Sequence, residues 1–125
     1  MDIENLYVEE IISNYEHPHN KRKMENPTAS FEEHNPVCGD DITIYVKLES
    51  DKIKDISFEG SGCAISIGTA SILTENVKGK SIKDVEKMDY KSIVEMIGID
   101  PGPARMKCAT VALNALQKAI KSKKE

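Results

Sequence analysis

The chain has 125 residues, 39% of them hydrophobic, which is enough for one compact domain with its own core and too few for two ordinary ones. Its formal charge of −4 comes from well-mixed acidic and basic residues without a basic stripe, which argues against a nucleic-acid surface and for recognition of proteins. No apolar run approaches the roughly 20 residues that cross a bilayer, and the N-terminus is an acidic amphipathic stretch, so the expectation is a soluble, cytoplasmic protein that makes no membrane contact.

Between Glu4 and Glu16, Tyr7, Val8, Ile11, Ile12 and Tyr15 recur at three- and four-residue spacing. This predicts a helix lying with that side on the rest of the domain. His17-Pro18-His19-Asn20 stops it, and Lys21 to Pro27 reads as an irregular connection. From Thr28 the period changes. Ile42, Ile44, Val46 and Leu48 alternate with Thr43, Tyr45, Lys47 and Glu49, the pattern of a strand with one buried face. A turn at Ser50-Asp51 lets Lys52 to Glu59 return antiparallel, and Thr28 to Glu33 supplies a third strand.

Beyond Gly60-Ser61-Gly62 the chain turns helical from Cys63 to about Val77, with Ala64, Ser66, Gly68, Ala70 and Ser71 small enough for close packing. Gly68 costs this helix about 1 kcal/mol relative to alanine. Gly79 ends it, Ser81 caps a short helix carrying Ile82 and Val85, and Asp89 caps another carrying Ile93, Met96 and Ile97. Pro101-Gly102-Pro103 leads into a last helix with an apolar stripe of Cys108, Val111, Ala112, Ala115 and Ala119, broadened by Leu113, Leu116 and Ile120. Strands followed by helices, with no repeat and no linker, predict a single α+β domain over 1–125: a small three-stranded antiparallel sheet packed with about five helices.

The chemistry concentrates on three cysteines, an odd number that cannot all pair within the chain. Metal binding or thiol chemistry therefore competes with a role as buried thiols. In Asn35-Pro36-Val37-Cys38-Gly39-Asp40, Pro36 and Gly39 shape a tight loop at a strand entrance, and Cys38 and Asp40, two residues apart, point to the same side. Cys63 opens a helix, where unpaired backbone N–H groups favour thiolate over thiol. Cys108 stands near the start of the last helix with Arg105 and Lys107 close by in sequence, and nearby cations also favour the thiolate. The gaps are far wider than the paired spacings of zinc fingers or ribbons. All three cysteines nevertheless fall at element boundaries, in Gly- or Pro-marked turns, where ligands are more often found than core thiols. His17, His19 and His34 read as turn or surface residues.

Asn35-Pro36-Val37-Cys38-Gly39-Asp40, Gly60-Ser61-Gly62-Cys63-Ala64-Ile65-Ser66 and Lys107-Cys108-Ala109 resemble the three signatures of the IscU/SufU/NifU N-terminal-domain family of iron–sulfur scaffolds. Tyr15, Pro18 and Asn20, and Thr74-Glu75, are similar to further family motifs, so the resemblance spans nearly the whole chain. It implies a site of Cys38, Asp40, Cys63 and Cys108 at the tip of the sheet. It also implies sulfur delivery by a cysteine desulfurase, with Cys108 as first sulfur acceptor and Lys107 supporting its thiolate.

Two activities follow from the resemblance. In the first, the four residues bind iron and hold a [2Fe–2S] cluster that a non-enzymatic scaffold, monomeric or a weak homodimer, passes to apo iron–sulfur proteins. In the second they hold Zn²⁺, and the protein is a zinc-dependent sulfurtransferase. The chain departs from both branches. Lys107 stands where IscU proper has a histidine ligand, and the stretch from Cys63 to Cys108 is too short for the segment that SufU carries there. Pro101-Gly102-Pro103-Ala104-Arg105 replaces the Leu-Pro-Pro-Val-Lys segment that the dedicated Hsp70 chaperone of IscU recognises.

Overall fold

A computed structural model describes residues 3–36 and 39–124. Alternation builds the sheet as expected: β1 (Ala29–Asn35), β2 (Asp40–Glu49) and β3 (Lys52–Ser61) pair antiparallel in that order. Ile42, Ile44 and Val46 on β2 and Ile53, Ile56 and Phe58 on β3 are completely buried, and the residues between them on β2 face outward. Ser50 makes the tight β2–β3 turn with φ of 59°.

The helices are α1 (Ile3–Glu16), α2 (Ala64–Val77), α3 (Ile82–Glu86), α4 (Tyr90–Ile97) and α5 (Met106–Lys124), the last entered through a 3₁₀ turn at Pro103–Arg105. The predicted caps are in place. The Ser81 hydroxyl accepts from the Asp84 N–H at 3.1 Å, and Asp89 forms a reciprocal capping box with Ser92. Helix α5 packs its stripe on β1 and β2, and α2 packs beside it on the same layer. The buried side chains of β2, β3, α2 and α5 form one core, joined by Val85, Ile93 and Ile97 from the two short helices.

Helix α1 departs from expectation. Ile11 is buried, whereas Leu6, Tyr7, Val8, Ile12 and Tyr15 are 37–50% exposed. Periodicity marked an apolar face, but α1 rides on α2 along a line through Ile11, with the Tyr7 ring against Gly98 at the end of α4, and much of that face stays exposed. The line passes over Gly68, where a Cβ would lie 2.6 Å from the Ile11 carbonyl oxygen. Helix propensity alone makes Gly68→Ala stabilising by about 1 kcal/mol. The overlap with backbone reverses the sign, and a net loss of about 1–2 kcal/mol is expected, with α1 amides losing exchange protection first. Urea denaturation and hydrogen exchange check this. A gain in stability would refute the contact.

The segment after α1 is tied to α2 and β3. The His19 N–H donates to the Ser71 hydroxyl at 2.8 Å, and Asn20 donates through Nδ2 to Thr74 Oγ1 at 3.0 Å and Glu75 Oε1 at 2.9 Å. The Asn20 carbonyl also accepts the Phe58 N–H. Asn20 thus holds the stretch that stops α1 in place. Tyr15, expected to pack, is 43% exposed.

Candidate metal centre

One end of the sheet gathers residues distant in sequence. Asp40 is the first residue of β2, and Asn35, its cross-strand partner, is the last of β1. The connection between them closes with the Gly39 N–H donating to the Asn35 carbonyl at 2.8 Å, with Gly39 at φ 74°. Cys63 is the N-cap residue of α2 but makes no side-chain cap. Cys108 lies in the first turn of α5. A Cβ on Gly62 would lie 2.3 Å from Ser66 Oγ and 2.6 Å from Asp40 Oδ1, so only glycine lets the start of α2 close over the carboxylate.

Asp40 is 1% exposed, and a buried carboxylate is stable only when donors surround it. Oδ1 accepts the Cys63 N–H at 3.1 Å and the Ser66 hydroxyl at 3.0 Å, and Oδ2 accepts the Asn35 amide at 3.0 Å. Burial by itself pushes the Asp40 carboxyl up. The Cys63 N–H, the Cys108 thiol, the Ser66 hydroxyl and the Asn35 amide together outweigh it and hold the carboxyl below its ordinary range. Asp40 is therefore a preformed anion.

An Asp40 oxygen and the sulfurs of Cys63 and Cys108 lie within 4.8 Å of one another. Ligands about 2.0–2.3 Å from one tetrahedral ion stand roughly 3.3–3.8 Å apart, so a small inward movement completes a three-ligand cradle. Two sulfurs and a carboxylate suit zinc or iron and suit magnesium or calcium poorly. Cys38 and Val37 lie outside the described residues. Cys63 is partly open to solvent, whereas Cys108 is fully buried.

Lys107 and Arg105 are exposed. Successive helical residues point about 100° apart, so Lys107 faces solvent while Cys108 faces inward. Lys107 borders a shallow cavity shared with His34, Pro36 and Asn114. His34 is exposed on the outer face of the sheet between Glu32 and Asp41, its Nε2 3.4 Å from Glu32 Oε1 and its Nδ1 3.4 Å from Asp41 Oδ1. Asp40 and Asp41, neighbours on one strand, thus serve opposite faces. His17 and His19 are exposed.

Ser66 and Asn35 complete the polar shell of the centre without a residue type that marks them as site residues. Ser66 reads in the sequence as a small packing residue, and Asn35 as part of a turn. The signal for Ser66 was its place three residues after the helix-opening Cys63, where a hydroxyl reaches back over the first turn.

A family model described as the NifU-like N terminal domain matches residues 6–125. An iron–sulfur cluster assembly scaffold protein IscU of Archaeoglobus fulgidus is 36% identical over 115 residues, covering 92% of this chain and 74% of that one. The zinc-dependent sulfurtransferase SufU of Bacillus subtilis is 33% identical over 136 aligned positions, covering 95% and 92%. Among solved structures, a putative SUF-system scaffold from Fervidobacterium islandicum superposes with a TM-score of 0.73 at 28% identity, covering 93% of this chain and 98% of that one. The N-terminal NifU-like protein of Brucella abortus, at TM-score 0.80 and 18% identity, shares the fold.

Proposed function

Because the chain belongs to the NifU-like N-terminal domain family, we propose that it is an iron–sulfur cluster assembly scaffold, with residues 1–125 acting as one domain. It takes sulfur from a cysteine desulfurase, binds iron through Cys38, Asp40, Cys63 and Cys108, and passes a [2Fe–2S] cluster to apo-proteins. The observation that carries this reading is the convergence of the Asp40 carboxylate with the Cys63 and Cys108 sulfurs around one point, the carboxylate already ionised. Three thiolates hold iron firmly, and one harder oxygen makes the cargo easier to release.

Sulfur arrives as a persulfide on the desulfurase. The Cys108 sulfur attacks its outer sulfur, a new S–S bond forms at Cys108, and the donor's S–S bond breaks. The donor cysteine leaves as thiolate and takes up the proton that Cys108 gives away. Lys107, exposed one position before Cys108, meets the negative charge of the incoming group. No described helix is long and apolar enough to cross a membrane, which suits work in the cytoplasm between soluble donor and acceptor proteins.

Lys107 also favours a second reading. Where a histidine ligand is replaced by a cation, the same four residues suit a zinc-dependent sulfurtransferase in which ligand exchange frees Cys108. Anaerobic reconstitution with iron, cysteine and desulfurase separates the two. The scaffold reading expects a visible chromophore that transfers to apo-ferredoxin and whose stability changes in Asp40→Ala. A chain that stays folded, builds no chromophore and accelerates the desulfurase only when loaded with zinc would replace it by the second reading.

A further inference from the structure

Asn35 belongs to none of the ligand sets above, yet it sits between two of their members. It is 4% exposed at the end of β1, and its Nδ2 group donates to Asp40 Oδ2 at 3.0 Å and to Cys108 Sγ at 3.7 Å. The Cys108 thiol also hydrogen-bonds Asp40 directly, and the one amide reinforces that tie between the first residue of β2 and the first turn of α5, 73 positions away in sequence from Asn35 itself. Cys108 has no accessible surface, whereas Cys63 does. A sulfur without accessible surface cannot attack a sulfur on another protein, because displacement requires collinear approach and access. The described state is thus one in which Cys108 accepts nothing.

We propose that Asn35 is a positioning residue, a latch that keeps Cys108 turned inward beside Asp40 until a metal ion or a docked sulfur donor displaces its hydrogen bonds. Asp40 Oδ1 already accepts two donors, from Cys63 and Ser66, and Oδ2 carries the Asn35 amide. An entering cation competes with that amide for Oδ2 and for the Cys108 sulfur, the two atoms the latch joins. The meaning of the latch for sulfur traffic rests on the reading of Cys108 as sulfur acceptor. Its existence does not.

The test uses chelator-stripped full-length protein, a pulse of iodoacetamide at fixed pH, and peptide mass spectrometry to follow each cysteine in the unchanged chain, Asn35→Ala and Asn35→Leu. Leucine keeps the branched outline of asparagine without its donors but is larger, so it errs by overpacking where alanine errs by leaving a cavity, and an acceleration at Cys108 shared by both variants reports the lost donor. Both variants should label Cys108 about 10-fold faster, the factor that losing a hydrogen bond to a charged partner commonly carries, while Cys63 changes by less than about two-fold. Removing a donor from a sulfur would by itself slow its alkylation, so acceleration reports exposure. An unchanged rate at Cys108 overturns the latch, and so does an equal acceleration at Cys63 and Cys108, which would mean general loosening. A second arm supplies persulfide-loaded desulfurase. Faster labelling with no added sulfur on Cys108 would leave the latch standing and remove the acceptor reading. Sulfur on Cys108 of the unchanged chain with unaltered labelling in the variants would remove the latch alone.

Discussion

Cys108→Ser is expected to bind Zn²⁺ roughly 100- to 1,000-fold more weakly than the unchanged chain while melting within a few degrees of it. Thiolate-rich zinc sites bind with about 10–16 kcal/mol across four ligands, so one ligand carries about 2.5–4 kcal/mol, or two to three decades in affinity. A serine hydroxyl stays protonated and offers the ion a neutral oxygen in place of a soft anion. It fits the space, because Cys108 is fully buried beside the Asn35 amide and serine is slightly smaller. The hydroxyl also accepts the Asn35 donor and donates to Asp40, so the fold retains its hydrogen bonds. Competition against a chromophoric chelator gives the affinity, and calorimetry gives the melting temperature. An affinity within about three-fold of the unchanged chain would remove Cys108 from the ligand set.

The second large effect is expected from the backbone beside the site. Gly60, on β3 opposite Ile42, has φ of 137°, and a Cβ there would lie 1.8 Å from the Asp41 carbonyl oxygen and 2.9 Å from its carbon. Neither atom can swing away, since both belong to the β2 main chain. Gly60→Ala combines positive-φ strain with a forced separation of β2 from β3, and a loss of about 3 kcal/mol or more is expected in a domain whose total stability is about 5–15 kcal/mol. Gly39 provides the contrast, with positive φ of 74° and nothing within 4 Å of its virtual Cβ. Gly39→Ala should lose only about 1 kcal/mol, the conformational part alone. Denaturant midpoints for the two variants decide the matter. Equal losses would show that φ, not the approach to Asp41, accounts for Gly60. Because Asp41 follows Asp40, the Gly60 variant should also weaken metal binding, and the Gly39 variant much less.

The strands were legible because alternation along Ile42, Ile44 and Val46 has one physical solution, a sheet with one covered face. The Ser81 and Asp89 caps were legible because a short polar side chain before an apolar period satisfies helix N–H groups that nothing else reaches. Helix α1 shows the limit of the same logic. Spacing identified Tyr7, Val8, Ile12 and Tyr15 as sharing a side with Ile11, but how far another element covers that side depends on the tertiary arrangement: Ile11 is buried, and Tyr7 touches Gly98 yet stays 37% exposed. Turn chemistry brought Asp40, Cys63 and Cys108 to notice one at a time. Their meeting depends on strand register and on the angle at which α5 crosses the sheet, neither of which is local in sequence. The outer donors were the least legible. Ser66 and Asn35 act through directed hydrogen bonds from types common in turns and small-residue helices, so their identity alone carries no alarm.

The spread of the centre along the chain bears on the order of events during synthesis. The three converging groups stand at positions 40, 63 and 108, and the last sits in α5, which packs on β1, β2 and α2. A chain still emerging from the ribosome, or one truncated before α5, has the carboxylate and one of these sulfurs but not the geometry that joins them to the third. On the proposed function the three-group cradle exists only once α5 has docked, and an ion held there at about 1,000 times its dissociation constant would add about 4 kcal/mol to folding. On that reading, loading reports that α5 is in place.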